Sequence, residues 1–181
     1  LFYSAQFEEN SYATSYIKTI GTAQTRVADT ASGSGNSTVI NSTEGVLYAE
    51  ISALSNDLTN RRISISNGTG NERVVIGYNN ADQRVFGLVT SGGTTAFNSG
   101  GKIIADTTEI IKIAVKYKEN DFSFWVNGVE LATDTLGVAP IGLNELSFTD
   151  QSGNPFYGKA KSLQVYTTAL SDAELISLTT I

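Results

Sequence analysis

Residues 108–132, TEIIKIAVKYKENDFSFWVNGVELA, contain the pattern that decides the fold class. Apolar residues recur at every second position, which is the period of a strand with one dry face and one wet face. The inward set in the first half is Ile111, Ile113, Val115 and Tyr117. After a polar turn at residues 118–121, the alternation resumes through Phe122–Val126. The dipeptide Asn127-Gly128 then predicts a tight hairpin, because both residues accept positive φ at low cost.

The same alternation recurs along the chain in short segments, spaced about ten residues apart as in all-β sandwiches. The further predicted strands are 45–54, 61–66, 72–78, 84–90, 94–98, 145–149 and 156–167. Strands of this length favour a sandwich or a barrel built from antiparallel hairpins. At the C-terminus, Ser171-Asp172-Ala173-Glu174 predicts a capping box. A short helix then places Leu175 and Leu178 on one face, which docks on the sheets.

The composition excludes several classes of function. The chain has 181 residues, a net charge of −6, and neither cysteine nor histidine. Ser-His-Asp and Cys-His catalysis and the usual zinc ligands are therefore excluded. The 12 Lys and Arg residues are scattered along the chain, which argues against a nucleic-acid partner. No apolar run approaches the ~18 residues of a membrane span, so we predict no membrane insertion.

Three stretches resemble the laminin G-like domains of bacteriophage tail and fibre proteins. Residues 5–30, AQFEENSYATSYIKTIGTAQTRVADT, are similar to the linker that precedes those domains. Residues 120–128, NDFSFWVNG, and 156–178, FYGKAKSLQVYTTALSDAELISL, are similar to a strand pair of the family and to its closing strand and helix. Asn10 and Lys18 depart from the family pattern, which has Gly and Pro there, and leave the linker geometry open.

The resemblance implies an all-β fold, a two-sheet antiparallel jelly-roll sandwich of the concanavalin A type with one short C-terminal helix. It implies two parts of the chain. Residues 1–20 are a linker or the last strand of a preceding domain, and residues 21–181 are the laminin G-like sandwich. Because this fold hosts lectins, hydrolases and purely structural modules, its function is argued from side chains.

An enzyme is not predicted. Glucanases of this fold need an acid and a base on one strand, spaced so that alternate residues point at the sugar. The spacing is Glu-x-Asp-x-Glu, which this sequence does not contain. Glu50 is the nearest candidate, and it has no carboxylate two residues away.

Sugar binding makes different demands, since a pyranose offers an apolar face for stacking and hydroxyls for hydrogen bonds. Trp125 is the sole tryptophan and, by alternation, points away from Phe124 and Val126. It either stacks on a sugar or packs beneath a covering segment. By the same alternation, we predict that Tyr48, Glu50, Arg62 and Tyr78 share a polar face, and a loop adds Asn154. The alternative is an ordinary solvated face. The candidate glycan-binding residues are Trp125, Tyr48, Glu50, Arg62, Tyr78 and Asn154.

Calcium is the one metal ion that the loops suggest, and no cofactor is predicted. The polar turns at 79–82 and 150–154 would supply oxygen ligands if they met at one end of the sandwich. Asp82 and Asp150 are the candidate metal ligands, with Asn154 beside them. Turn chemistry accounts for the same residues equally well.

We therefore predict a non-catalytic carbohydrate-binding module on the virion surface, in a phage tail or head fibre. The predicted partners are a bacterial cell-surface glycan and other virion proteins or further copies of the chain, as in a trimer. The alternative function is a virion decoration or spacer domain without a ligand, and the alternative location is an extracellular or bacterial cell-surface protein. An accessible Trp125 favours glycan binding, whereas a buried Trp125 and an exposed apolar patch favour the structural module.

Overall fold

The computed structural model describes residues 33–80 and 82–181, together with residues 16, 18, 21 and 22. The chain divides into two compact units, residues 1–30 and residues 31–181, and the sheets lie in the second. The stretch that carries the phage-like pattern falls almost entirely outside the described residues. The domain boundary between residues 20 and 21 therefore stays a prediction.

Eleven strands and one helix form the described part of the second unit. The strands are β1 (Glu44–Ala53), β2 (Arg61–Ser66), β3 (Arg73–Asn79), β4 (Arg84–Ser91), β5 (Thr94–Asn98), β6 (Lys102–Ile103), β7 (Ile111–Lys118), β8 (Phe122–Val126), β9 (Val129–Asp134), β10 (Glu145–Ser147) and β11 (Gly158–Tyr166). The helix α1 spans Asp172–Thr179 and closes the domain. No helix in the described ranges is long and apolar enough to cross a bilayer.

The strands form two antiparallel sheets. The five-stranded sheet has the order β11-β1-β7-β8-β9, and the six-stranded sheet has the order β10-β2-β3-β4-β5 with β6 paired to β4. This architecture confirms the predicted two-sheet sandwich with a short C-terminal helix, and it is consistent with a jelly roll. Each strand predicted between residues 45 and 167 forms, with ends shifted by at most three residues; the strand considered within residues 1–20 lies outside the described residues. Only β6 was missed, because two residues are too few to show an alternation.

The core lies between the facing sides of the two sheets, and alternate residues build it. On β1, Leu47, Ala49 and Ile51 are fully buried against the six-stranded sheet. On β4, a Cβ placed on Gly87 would clash with Cγ2 of Val115, so the sheets approach there more closely than a side chain allows. The period-two parity predicted from the sequence is confirmed for these strands.

Helix α1 covers part of the outer face of the five-stranded sheet. Leu175 is fully buried and packs with Val46, Tyr48, Ala114 and Trp125 in a second apolar cluster. Outward positions on these strands are therefore buried wherever the helix lies over them.

The capping pair predicted for α1 is present. Glu174 Oε2 accepts hydrogen bonds from the Ser171 N–H at 2.8 Å and from its hydroxyl at 2.6 Å. These bonds lower the pKa of Glu174. At the other end of the helix, Thr179 Oγ1 accepts from the Gly128 N–H at 3.1 Å, which ties the helix to the Asn-Gly hairpin. Asn127 and Gly128 have φ values of 49° and 80°, as the hairpin prediction requires.

Intrinsic fluorescence tests this packing, since Trp125 is the sole tryptophan and is 4% exposed beneath α1. We expect short-wavelength emission and weak quenching by acrylamide. Leu175→Ala removes a buried contact worth about 2–5 kcal/mol, so emission should shift to longer wavelength and quenching should increase. The control Ile176→Ala alters an exposed residue of the same helix and should change neither. Strong quenching of the unmodified protein would contradict the α1 contact.

Candidate functional site

A groove of about 460 Å³ opens on the outer face of the five-stranded sheet, further along β1 than the α1 contact. We name it the β1 groove. Seven of its nine lining residues are polar or charged, and the other two are isoleucines. The lining residues are Glu50, Ser52, Thr108, Glu109, Ile110, Lys112, Lys159, Lys161 and Ile181.

The floor of the groove comes from neighbouring strands in regular register. Glu50 of β1 lies directly opposite Lys112 of β7, and both are on the outer face because Ile51 and Ile113 face the core. Ser52 follows two residues after Glu50 and therefore points the same way. Glu50 is 9% exposed and Ser52 is 1% exposed, so the floor is lined by polar groups largely withdrawn from bulk water.

One wall of the groove depends on a β-bulge between β1 and β11. Glu50 pairs with Ser162, and the next residue, Ile51, pairs with Ala160, which leaves Lys161 as the extra residue. A bulge of this kind re-aims side chains and is common beside functional sites. It sets Lys159 opposite Ser52, on the outer face.

Hydrogen bonds hold the charged groups of the groove in place. Lys161 Nζ donates to Glu50 Oε1 at 2.7 Å, and Oε2 receives no hydrogen bond from the described residues. Lys112 Nζ donates to the Thr180 carbonyl at 2.7 Å. Beside the groove, burial raises the pKa of Tyr48, and the negative charge of Glu50 adds to that rise.

The loop that carries Thr108 and Glu109 is fixed by a small polar network. Asp106 Oδ1 accepts from the Thr108 N–H at 2.8 Å and from its hydroxyl at 2.6 Å. It also accepts from Asn56 Nδ2 at 2.8 Å. These bonds, led by that of the Thr108 hydroxyl, lower the pKa of Asp106. The rim beside β7 is therefore held in a defined position.

A second polar cluster lies on the six-stranded sheet, and it unites three of the predicted residues. Asp150 is fully buried and its Oδ2 accepts from Arg62 Nη1 at 2.8 Å and from Asn154 Nδ2 at 2.9 Å. Its Oδ1 accepts from the N–H groups of Ser152 and Asn154, and its carbonyl accepts from Arg73. Burial acts to raise the pKa of Asp150, but the hydrogen bonds and Arg62 outweigh it and the net pKa is lowered.

The polar groups of this cluster form hydrogen bonds with one another, which leaves few of them to bind a ligand. All four hydrogen bonds to the Asp150 carboxylate come from its own loop or from Arg62. The Arg62 guanidinium also lies 4.8 Å from the Phe86 ring centroid, a cation–π contact. We interpret the cluster as the fastening of the 149–155 loop onto the sheet.

Three predicted glycan-binding residues are corrected by their burial. Trp125 and Tyr48 do point to the outer face, but α1 covers them and leaves 4% and 3% exposed. Trp125 instead donates from Nε1 to the Ser123 hydroxyl at 2.9 Å. Tyr78 is 1% exposed in the core, where burial raises its pKa. A sugar has no ring face to stack on at these positions.

Tyr78 and Arg62 were also predicted to share a face, and they do not. Arg61 pairs with Tyr78 across β2 and β3, whereas Arg62 pairs with Gly77. Arg62 therefore shares its outer face with Gly77, and Tyr78 points inward and donates its hydroxyl to the Ile51 carbonyl at 3.3 Å. Which residues of two strands share a face depends on the register between the strands, and the alternation within one strand does not reveal that register.

The candidate calcium ligands do not fit a calcium site. The Asp82 carboxylate accepts hydrogen bonds from Nε and Nη2 of Arg84, at 3.0 and 2.8 Å. Both carboxylate oxygens of Asp150 also accept hydrogen bonds, as described above. Arg84 beside Asp82 and Arg62 beside Asp150 are already positively charged, so they would repel a calcium ion at either carboxylate. Within the ranges that the structure describes, no group of three acidic, His or Cys side chains is placed to hold a metal.

Of the six predicted glycan-binding residues, Glu50 is the one that lines the β1 groove. The sequence did hold a signal for Ser52 and Lys112, because both lie on the outward parity of strands that were predicted. The prediction missed them because it favoured aromatic residues. Lys159 and Lys161 carried no comparable signal, since their direction depends on the bulge.

The Asp150 cluster predicts an acid-sensitive contribution to stability. The lowered pKa means that this contribution is present above the unfolded pKa of about 4 and is lost as pH falls through the folded pKa. Asp150→Asn leaves Arg62 without its partner and should cost about 2–4 kcal/mol in urea unfolding at pH 7. The loss should shrink at pH 3. Asp82→Asn, in an exposed pair, should have a much smaller effect, and equal losses in both variants would refute the role of burial.

A profile of the concanavalin A-like lectin/glucanases superfamily matches residues 36–176. No curated protein sequence matches the chain. Similar solved structures include the CBM40 module of the Ruminococcus gnavus IT-sialidase, with a TM-score of 0.64 and 20% identity over 83% of this chain and 94% of the module.

Two further structures are similar in fold. Domain 4 of a GH43 extracellular arabinanase from Geobacillus stearothermophilus has a TM-score of 0.60 and 16% identity, over 80% of this chain and 70% of that one. A SAP-like pentraxin from Limulus polyphemus has a TM-score of 0.55 and 12% identity, over 80% and 72%. Structural similarity at such identities shows the fold, and the profile match covers most of the sequence. The chain belongs to the concanavalin A-like lectin/glucanases superfamily.

Proposed function

We propose that this domain is a non-catalytic glycan-binding module whose saccharide lies in the β1 groove. The observation that carries the proposal is the groove itself, an open channel lined by charged side chains on a sheet face that α1 covers only in part. Glu50 Oε2, which accepts no hydrogen bond from the described residues, is an acceptor for sugar hydroxyls, and Ser52 and the lysine ammonium groups are donors. Ile110, 43% exposed, offers apolar contact to a sugar ring.

The chemistry of the groove predicts weak binding at a single site. Among the described residues that line it, none is aromatic, so stacking contributes nothing. Each sugar hydroxyl exchanges water for a protein partner, and a typical hydrogen bond gains only about 0.5–1.5 kcal/mol in that exchange. Useful affinity then requires several copies acting together.

The structural neighbours support the same reading. The R. gnavus sialidase module was solved with sialyllactose bound, and the G. stearothermophilus arabinanase domain was solved with arabinotriose. Both belong to larger enzymes in which a sandwich of this fold contacts a saccharide. We propose the same class of partner for this chain.

A second candidate function, a spacer domain that packs against its copies, has an observation of its own. The connection between β9 and β10 exposes Leu136, Val138 and Ile141 at 76%, 61% and 67%. Apolar side chains exposed together are typical of contact surfaces, and the burial of Trp125 also favours this alternative. We rank it second because it leaves the charged groove without a role.

A glycan array and a cell-binding assay, with the domain displayed as a multimer, test the first function. We expect specific binding that is competed by the soluble sugar. Glu50→Gln should weaken it at least about tenfold, because a hydrogen bond to a charged group is worth about 1.5–3 kcal/mol. Glu119→Gln removes the same charge from an exposed turn and should bind as the parent does.

The bound glycan should remain intact after long incubation with the domain. Release of reducing ends that is abolished in Glu109→Gln would instead identify a hydrolase. A folded multimer that binds no glycan and no cell would support the spacer domain.

We also propose that the module is carried on the surface of a phage particle, in a tail or head fibre, and binds glycans of the bacterial surface. The support is the similarity of residues 5–30 to the linker of phage fibre proteins. Antibodies raised against the domain should label fibres of purified particles in electron micrographs. Labelling of the bacterial surface alone would assign the module to a cellular adhesion protein.

A further inference from the structure

The β1 groove concentrates positive charge on an acidic protein. The chain has a net charge of −6, yet three of its seven lysines line this one groove. Two glutamates, Glu50 and Glu109, lie with them. The lysines outnumber the glutamates by one, and a local excess of positive charge on a protein of opposite net charge favours an anionic ligand.

Two of these lysines reach the groove only through the β-bulge. If β11 continued in the register of the Glu50–Ser162 pair, Lys161 would lie opposite Ile51 and Lys159 opposite Ala53. Both partners face the core, so both lysines would point into the sandwich. The extra residue in β11 turns them to the outer face instead.

Protection of a sheet edge does not account for the whole set. Lysines on an edge strand discourage pairing with another chain, and β11 is an edge strand. Lys112, however, lies on β7 in the interior of the sheet, between β1 and β8. Lys112, a half-buried residue, therefore has no sheet edge to protect.

Lys112 also differs from the other lysines of its own strand. Lys116 forms an ion pair with Asp121 at 2.7 Å, and Lys118 forms one with Glu44 at 3.3 Å. Lys112 donates to a backbone carbonyl, and neither it nor Lys159 has a carboxylate partner among the described residues. Glu109 likewise forms no ion pair with the described residues, so Lys112, Lys159 and Glu109 together leave a net charge of +1 in the groove.

We infer that the saccharide bound in the β1 groove carries an anionic group, a carboxylate or a phosphate, which Lys112 and Lys159 bind. The inference rests on the proposed function and names its ligand class. Charge-assisted hydrogen bonds from the two ammonium groups hold the acidic group. The Glu50–Lys161 pair is electrically balanced and is left to contact hydroxyls.

Binding of oligogalacturonate and of its methyl ester tests this inference, because the two differ in charge and share their sugar hydroxyls. The multimeric domain should bind the acid at least about tenfold more tightly than the ester, and the preference should fall as salt screens the charges. Lys159→Gln and Lys112→Gln should each reduce binding of the acid about 3- to 10-fold, as expected for a partly exposed charged contact. Lys102→Gln makes the same charge change on β6, in the other sheet, and should bind as the parent does.

Unchanged Trp125 fluorescence in Lys112→Gln would show that α1 stays in place. Lys159→Gln removes a side chain that forms no hydrogen bond or ion pair with the described residues. Binding of mannose 6-phosphate polymers but not of oligogalacturonate supports the inference with phosphate as the anion. Equal, Glu50-dependent binding of acid and ester overturns it while leaving the glycan-binding function intact. Failure to bind any saccharide, acidic or neutral, overturns both.

Discussion

The burial of β1 on both of its faces is the constraint on which the rest of the structure depends. Its inner face meets the six-stranded sheet at Leu47, Ala49 and Ile51, and its outer face meets α1 at Val46 and Tyr48. The helix is only eight residues long, so it covers one part of the strand. Where that cover ends, β1 carries Glu50 and Ser52, and the β1 groove begins.

Small departures from regular structure supply the chemistry of the groove. A single extra residue in β11 brings Lys159 and Lys161 to the outer face. The network around Asp106 holds the opposite rim. The groove is thus built from a rigid sheet floor and two anchored sides, which suits recognition of a ligand without large rearrangement.

Most of the residues that the sequence suggested for ligand contact have structural roles instead. Trp125 and Tyr48, which look like a sugar-stacking pair, anchor a helix. Arg62 and Asp150, which look like solvent-facing contacts, fasten a loop through a buried ion pair. In each case, a segment distant in sequence covers a face that would otherwise be wet. The charged groups that remain at the open surface of the groove are lysines on β7 and β11.

The sequence by itself determined the fold class, the strands, the Asn-Gly hairpin and the capped helix, because these depend on contacts within a few residues. Parity also placed Glu50 on the outer face of β1. Only the tertiary structure decided that α1 buries Trp125, that the β2–β3 register separates Tyr78 from Arg62, and that a bulge turns Lys159 and Lys161 outward. Strand order, register and helix docking join residues far apart in the chain, and their energies come from packing that no local pattern contains.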